Sequence, residues 1–313
     1  MFCFRLEPLS LAAYDLTMAE TGLLERILQA LKPVLPRRFR GDVPVVPVVR
    51  LSGVIGLSTP LRPGLTLSSV ARPLEKAFTW RRARAVALVI NSPGGSAVQS
   101  HLVFQRIRQL SIEHERPVIA FVEDVAASGG YMIACAADEI VADPSSIVGS
   151  IGVIGATFGF AKLIDKIGIE RRIYTSGTNK AMLDPFLPEN PEHVARLKAI
   201  QEDIHTSFID LVKSRRGAKL TGPEQELFSG EYWAAKRGIE FGLVDRIGDL
   251  RSVLRARFGD TVETPLVTGA RGLLGRTPPG IKADLDRLLD RPGFADEIVS
   301  TLEARAIWAR YGL

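Results

Sequence analysis

Two short loops concentrate residue types that do chemistry. The first, Asn91-Ser92-Pro93-Gly94-Gly95-Ser96, ends an apolar run at 85–90 and opens a stretch of helical composition. Consecutive glycines let backbone N–H groups turn toward a developing oxyanion, and the N-terminus of the following helix adds its dipole. The second, Ala126-Ala127-Ser128-Gly129-Gly130-Tyr131, follows the apolar run 117–122. Small residues around a serine at a strand-to-helix turn expose its hydroxyl, and the Gly129 N–H offers a second oxyanion donor. Taken singly, each loop has an ordinary reading, because serine and glycine cap helices and form tight turns without chemistry. Each ends a buried strand, however, and the pair points to acyl transfer through Ser128 much more specifically than either does alone.

A serine nucleophile needs a base, most often histidine. His101, His114, His193 and His205 all fall on helical stretches or just after one, none in a glycine-rich turn. They read as surface or packing residues. Lysine serves instead when its ammonium is desolvated, since burial disfavours the charged form. Lys180 lies in Thr175-Ser176-Gly177-Thr178-Asn179-Lys180-Ala181, with uncharged neighbours on both sides. A loop lysine is ordinarily solvated, so this pattern alone does not single it out.

The elements that must position these loops alternate. Apolar runs at 85–90 and 117–122 suit strands buried on both faces, and helical spacing marks 96–110 and 128–137. Strands are also predicted at 43–51, 139–142 and 170–175, a long amphipathic helix at 192–215, and a shorter helix at 232–241 that closes on Gly242. This alternation predicts an α/β fold of mainly parallel sheets with flanking helices. A helix and basic linker are expected over 1–42, the core over 43–260, and a Gly/Pro linker with a charged helical tail over 261–313.

With 313 residues, 46% hydrophobic and 24% charged, the chain can bury a substantial core. The formal charge of +5 comes with arginine clusters at 37–40 and 81–84, which ordinarily form solvated faces. An apolar stripe through Leu23, Leu24, Ile27, Leu28 and Leu31 precedes the first cluster. Contact with an anionic membrane surface and packing on a partner helix explain it equally well. Residues 144–161 carry no charge, yet Gly149, Gly152, Gly155 and Gly159 suit tight turns under an active site rather than a bilayer span. Cys3 and Cys135 make no disulfide framework. The first twenty residues lack the unbroken apolar stretch of a secretory signal, from which a cytoplasmic protein is expected, peripheral at the membrane at most.

The motifs NSPGGS at 91–96, AASGGY at 126–131, GSIGV at 149–153, SGTNK at 176–180 and AKRGIEFGLVDRIG at 235–248 resemble, in order and spacing, the signal peptide peptidase A (protease IV) family. The resemblance covers 43–254 and implies the crotonase/Clp-protease superfamily fold. It implies that Ser128 is the nucleophile of a serine endopeptidase, Lys180 its general base, and Ser150 the hydroxyl that orients the lysine amine. Gly129 and the Gly94-Gly95 pair correspond to the oxyanion loops. It further implies a homo-oligomeric ring of eight in which neighbours share each dyad, with a peptide as substrate and no cofactor, metal or nucleic acid.

This chain departs from the family pattern in three ways. No N-terminal anchor is expected from its first residues, Ala181 stands where an acidic residue is common, and Asn91 stands where Asp is frequent. Three rival readings remain at this stage. A Clp-type peptidase would carry its histidine in the region of Val153. An acyl-CoA hydratase or isomerase on this fold would use paired N–H groups with no serine nucleophile. A catalytically silent ring scaffold would have lost the chemistry.

Overall fold

The computed structural model describes residues 43–57, 64–268 and 294–313. The helix and linker expected over 1–42, with Cys3, and the Gly/Pro linker between 269 and 293 lie outside these residues.

Three consecutive strands, β1 (Val48–Ser52), β2 (Val86–Ser92) and β3 (Val118–Ala127), form the centre of a mainly parallel sheet. Leu88 pairs with Val49 on one side and Ala120 on the other. β4 (Glu139–Ala142) and β7 (Arg246–Ile247) extend the sheet to the order β1-β2-β3-β4-β7. Because side chains alternate across a strand, β2 serves two cores. Leu88 and Ile90 join a cluster with Val70, Leu74, Val103 and Ile107 of helices α1 (Leu67–Phe78) and α2 (Ala97–Glu113). Ala87 and Val89 face the opposite cluster, with Val253 and Leu254 of α8 (Leu250–Phe258). Burial on both faces accounts for the near-continuous apolar runs in β2 and β3.

β5 (Ile147–Gly149) adds to the far half of β3, pairing Val125 with Ile147 and Ala127 with Gly149. This pairing carries the following residue, Ser150, to the end of β3 where Ser128 stands. α3 (Gly129–Ala134) follows Ser128 directly. The carbonyls just past its end are met by arginines: Arg215 Nε donates to the Cys135 oxygen at 2.9 Å, and Arg108 Nη1 to that of Ala136 at 3.1 Å.

Several elements depart from the expectations, each for a tertiary reason. Residues 232–241 are not one helix: Tyr232–Ala234 form β6, antiparallel to β5, and only Ala235–Glu240 are helical (α7). Tyr and Trp favour a pleated edge once one is offered, and β5 offers it. Residues 170–175 form no strand and lie mostly exposed after the short helix α4 (Ala161–Lys166), with no ladder to satisfy their backbone among the described residues. The expected strand over 43–51 is ordered as a ladder only at Val48–Ser52, since Pro44 and Pro47 lack the N–H it needs. The helix expected over 128–137 ends at Ala134. The long amphipathic helix stands at Pro191–Arg216 as α5, and the charged tail forms α9 (Phe294–Ala309). The short helix α6 (Glu224–Leu227) lies between α5 and β6. Among the described residues, no helix is long and apolar enough to cross a membrane.

Candidate active site

The strand-to-helix turn holds Ser128 at φ 51° and ψ −122°, a conformation unfavourable for a side chain with a Cβ. Its neighbours enforce it. The Ser128 N–H donates to the Gly149 carbonyl at 2.8 Å, tying the turn to the end of β5. Gly94, at φ +100°, runs so close that a Cβ there would lie 2.8 Å from Ser128 Cβ and 2.9 Å from the Gly129 nitrogen. Gly130 packs on the Ser92 carbonyl with similar closeness: an added Cβ would stand 2.3 Å from that oxygen. The two glycine-rich loops singled out in the sequence are therefore one packed unit, and their glycines are needed for approach as much as for donors.

Ser128 opens into a cavity of about 850 Å³. Gly95 and Gly129 line it, whereas the Gly94 N–H donates to Ser92 Oγ at 3.3 Å and so is already engaged. Gly129 is the first residue of α3, where an N–H has no intrahelical acceptor. Apolar walls come from Met132, Val153, Ile154, Ile204 and Phe208.

Ser150 also lines the cavity, at φ 53°, with its N–H bonded to the Glu231 carbonyl at 2.6 Å. β5 and β6 thus bring Ser150 and Ser128 to one cavity. Lys180 is not brought there: it lies exposed in the segment after α4 and lines no part of the cavity. Within one chain, the serines meet and the lysine stands apart.

Sequence reasoning missed several wall residues. His205, read as a packing residue, lines the cavity and places Nε2 3.1 Å from the Ile151 carbonyl oxygen, steadying the strand end after Ser150. Ile307 and Arg310, from the tail expected as a charged helix, form another wall. The next residue, Tyr311, is buried behind Ser150. No local periodicity marks these residues, because each reaches the site from a distant part of the chain.

The helix carrying Ser128 is anchored from beneath. Tyr131 donates its hydroxyl to the Leu243 carbonyl at 2.9 Å, and burial holds its ionisation well above the usual range. Burial likewise pushes the Cys135 thiol up to about 12. It is buried and free, a packing residue rather than a nucleophile.

Residues 111–258, which include Ser128, Ser150 and Lys180, match peptidase family S49. The match takes in a little under half of the chain. A protein of Brucella abortus (strain 2308) called "Na(+)/H(+) antiporter NhaA" is 54% identical over 303 residues, 96% of this chain and 40% of that protein. The chloroplastic serine protease SPPA of Arabidopsis thaliana is 32% identical over 211 residues, 66% of this chain and 31% of that protein. The chain thus spans less than half the length of either relative. Among solved structures, a mutant of the 1510-N membrane-bound stomatin-specific protease in complex with a substrate peptide covers 73% of this chain and 94% of its own, at 18% identity and TM-score 0.45.

Proposed function

We propose that this chain is an S49-type serine endopeptidase acting on apolar peptides, with Ser128 as nucleophile and Lys180 of a neighbouring copy as general base. The observation that carries this reading is the strained Ser128 turn, locked against the Gly94-Gly95 loop and facing an apolar cavity. Strain of this kind persists only where surrounding structure imposes it, and it aims the hydroxyl into the cleft. In the reaction, the neutral lysine amine takes the Ser128 proton as Oγ attacks the scissile carbonyl. The tetrahedral oxyanion lies against the N–H groups of Gly95 and Gly129. The proton passes to the departing amine and an acyl-enzyme remains. Water, deprotonated by the same base, then attacks it, releases the acid and restores Ser128. Ser150 accepts a hydrogen bond from the amine and turns its lone pair toward Ser128. Gly94 acts through close approach, since its own N–H is occupied by Ser92.

Because Lys180 stands outside the Ser128 cavity of its own chain, the dyad must be completed between copies, in a ring that we take to be of eight. The segment carrying Lys180 supports this: Phe158, Leu163, Ile169 and Tyr174 are exposed, an apolar surface of the kind that a partner covers. Ion transport, named for the Brucella relative, has no support in the shared segment, which is the one carrying the S49 match.

The test mixes two inactive variants. Ser128→Ala and Lys180→Ala are each expected to lose peptide hydrolysis by at least about a thousandfold. Dissociated and reassembled together, they should regain a fraction of wild-type activity, since some neighbours then supply an intact serine and an intact lysine. Failure to regain activity in verified mixed assemblies removes the shared dyad, and full activity in Lys180→Ala removes lysine as base. A wild type that neither hydrolyses peptides nor reacts with a fluorophosphonate probe is a silent scaffold.

A further inference from the structure

The tail residue Tyr311 places its hydroxyl 3.2 Å from Ser150 Oγ and 3.3 Å from the Pro93 carbonyl oxygen. Ser150 faces the cavity, and Tyr311 stands behind it without lining it. Its ring is buried on Val125 and Ala127 with Ile147 and Trp308 alongside. Tyr232 holds it edge-on at 4.9 Å and donates its own hydroxyl to the Arg310 carbonyl at 2.8 Å. The tail is therefore docked as a wall and leaves the cleft open.

The Tyr311 hydroxyl donates to Ser150 Oγ and lies within reach of the Pro93 carbonyl as a second acceptor. That bond pins Ser150 Oγ from behind and leaves its other lone pair for a donor on the cavity side. We propose that Tyr311 is a positioning residue for the hydrolysis, acting through Ser150, whose hydroxyl oxygen it holds in place to accept from the lysine amine. This rests on the Ser-Lys reading above. Without the phenol, Ser150 Oγ loses the donor that pins it and can rotate away from the amine that it is to orient.

The full chain in its assembled form tests this with Tyr311→Phe, Ser150→Ala and the double variant, on a fluorogenic apolar peptide. Phenylalanine keeps the ring packing, and assembly mass and melting temperature are followed in parallel. Tyr311→Phe should lower kcat about tenfold with KM unchanged, and should cost nothing further in the Ser150→Ala background. Where turnover is slow, acylation by a fluorophosphonate reports the same ratio. An unchanged kcat in Tyr311→Phe overturns the proposal. So does an equal loss in both backgrounds, which would mean that Tyr311 only supports the fold. Lys180→Ala separates the two ideas. Full activity there sinks the Ser-Lys reading and this inference together, whereas a dead Lys180→Ala beside an unimpaired Tyr311→Phe sinks the inference alone.

Discussion

Ser128 carries its strain in φ, and that strain separates stability from function. Alanine at this position keeps the unfavourable φ of 51°, whereas glycine adopts it freely. Ser128→Gly should therefore be more stable than Ser128→Ala, by about 1 kcal/mol once the greater freedom of unfolded glycine is subtracted, although both should be inactive if Ser128 is the nucleophile. Urea unfolding of the two variants measures it; equal stability would mean that the turn is not strained. Gly94 fails in the opposite direction. Gly94→Ala forces a methyl to within 2.8 Å of Ser128 Cβ, so fluorophosphonate labelling of Ser128 should fall by at least about a hundredfold. Labelling at the wild-type rate would show that the loop can shift aside without harm to the site.

At the scale of elements, a buried ion pair joins the end of α5 to the chain leading into β7. Arg216, fully buried, donates through Nη1 to Asp245 Oδ2 at 2.7 Å and through Nε to the Gly242 carbonyl at 3.1 Å. Asp245 also accepts from the Ile140 N–H at 2.7 Å, which ties in β4. Burial alone would raise the Asp245 carboxyl; hydrogen bonds from Arg216, Lys219 and Ile140 outweigh it and hold the carboxyl below the usual carboxylate range. A depressed native value means that the carboxylate stabilises the fold fully above its unfolded value, and that this contribution fades as pH falls through the native one. Asp245→Asn leaves the Arg216 charge buried without its partner and should destabilise by about 3 to 5 kcal/mol at neutral pH. The gap to wild type should narrow as pH falls below the usual carboxylate range and through the depressed native value, where wild-type Asp245 protonates as well. Chemical denaturation at neutral pH and along the acid range checks it, and a gap independent of pH would show that the carboxylate charge is not what matters.

At the scale of the whole molecule, activity and assembly should be inseparable, because Lys180 and Ser128 stand apart in one chain. Phe158, 79% exposed, lies tilted against Phe160 with ring centroids 6.2 Å apart, just ahead of α4 and the segment that carries Lys180. Phe158→Asp should lower the assembled fraction seen by sedimentation and lower peptide hydrolysis in the same proportion, with the melting of the chain itself nearly unchanged. Undiminished activity in a monomeric variant would mean that a single chain can complete the dyad.

Much of this was legible in the sequence by itself. The apolar runs of β2 and β3, the glycine-serine turns after them and the long helix α5 are written in neighbouring residues, where backbone preference and period act. They determined a mainly parallel α/β core and the turn on which Ser128 sits. Helical composition misjudged Tyr232–Ala234, because strand character there comes from the open edge of β5 rather than from the residues alone. Only the tertiary structure decided that Ser150 and Ser128 line one cavity, that Lys180 is left outside it, and that Tyr311 braces Ser150. These are contacts between residues up to 161 positions apart. Such contacts are made by the closing of the sheet and the docking of the tail, and no local rule of turn, cap or period encodes which distant side chain will arrive.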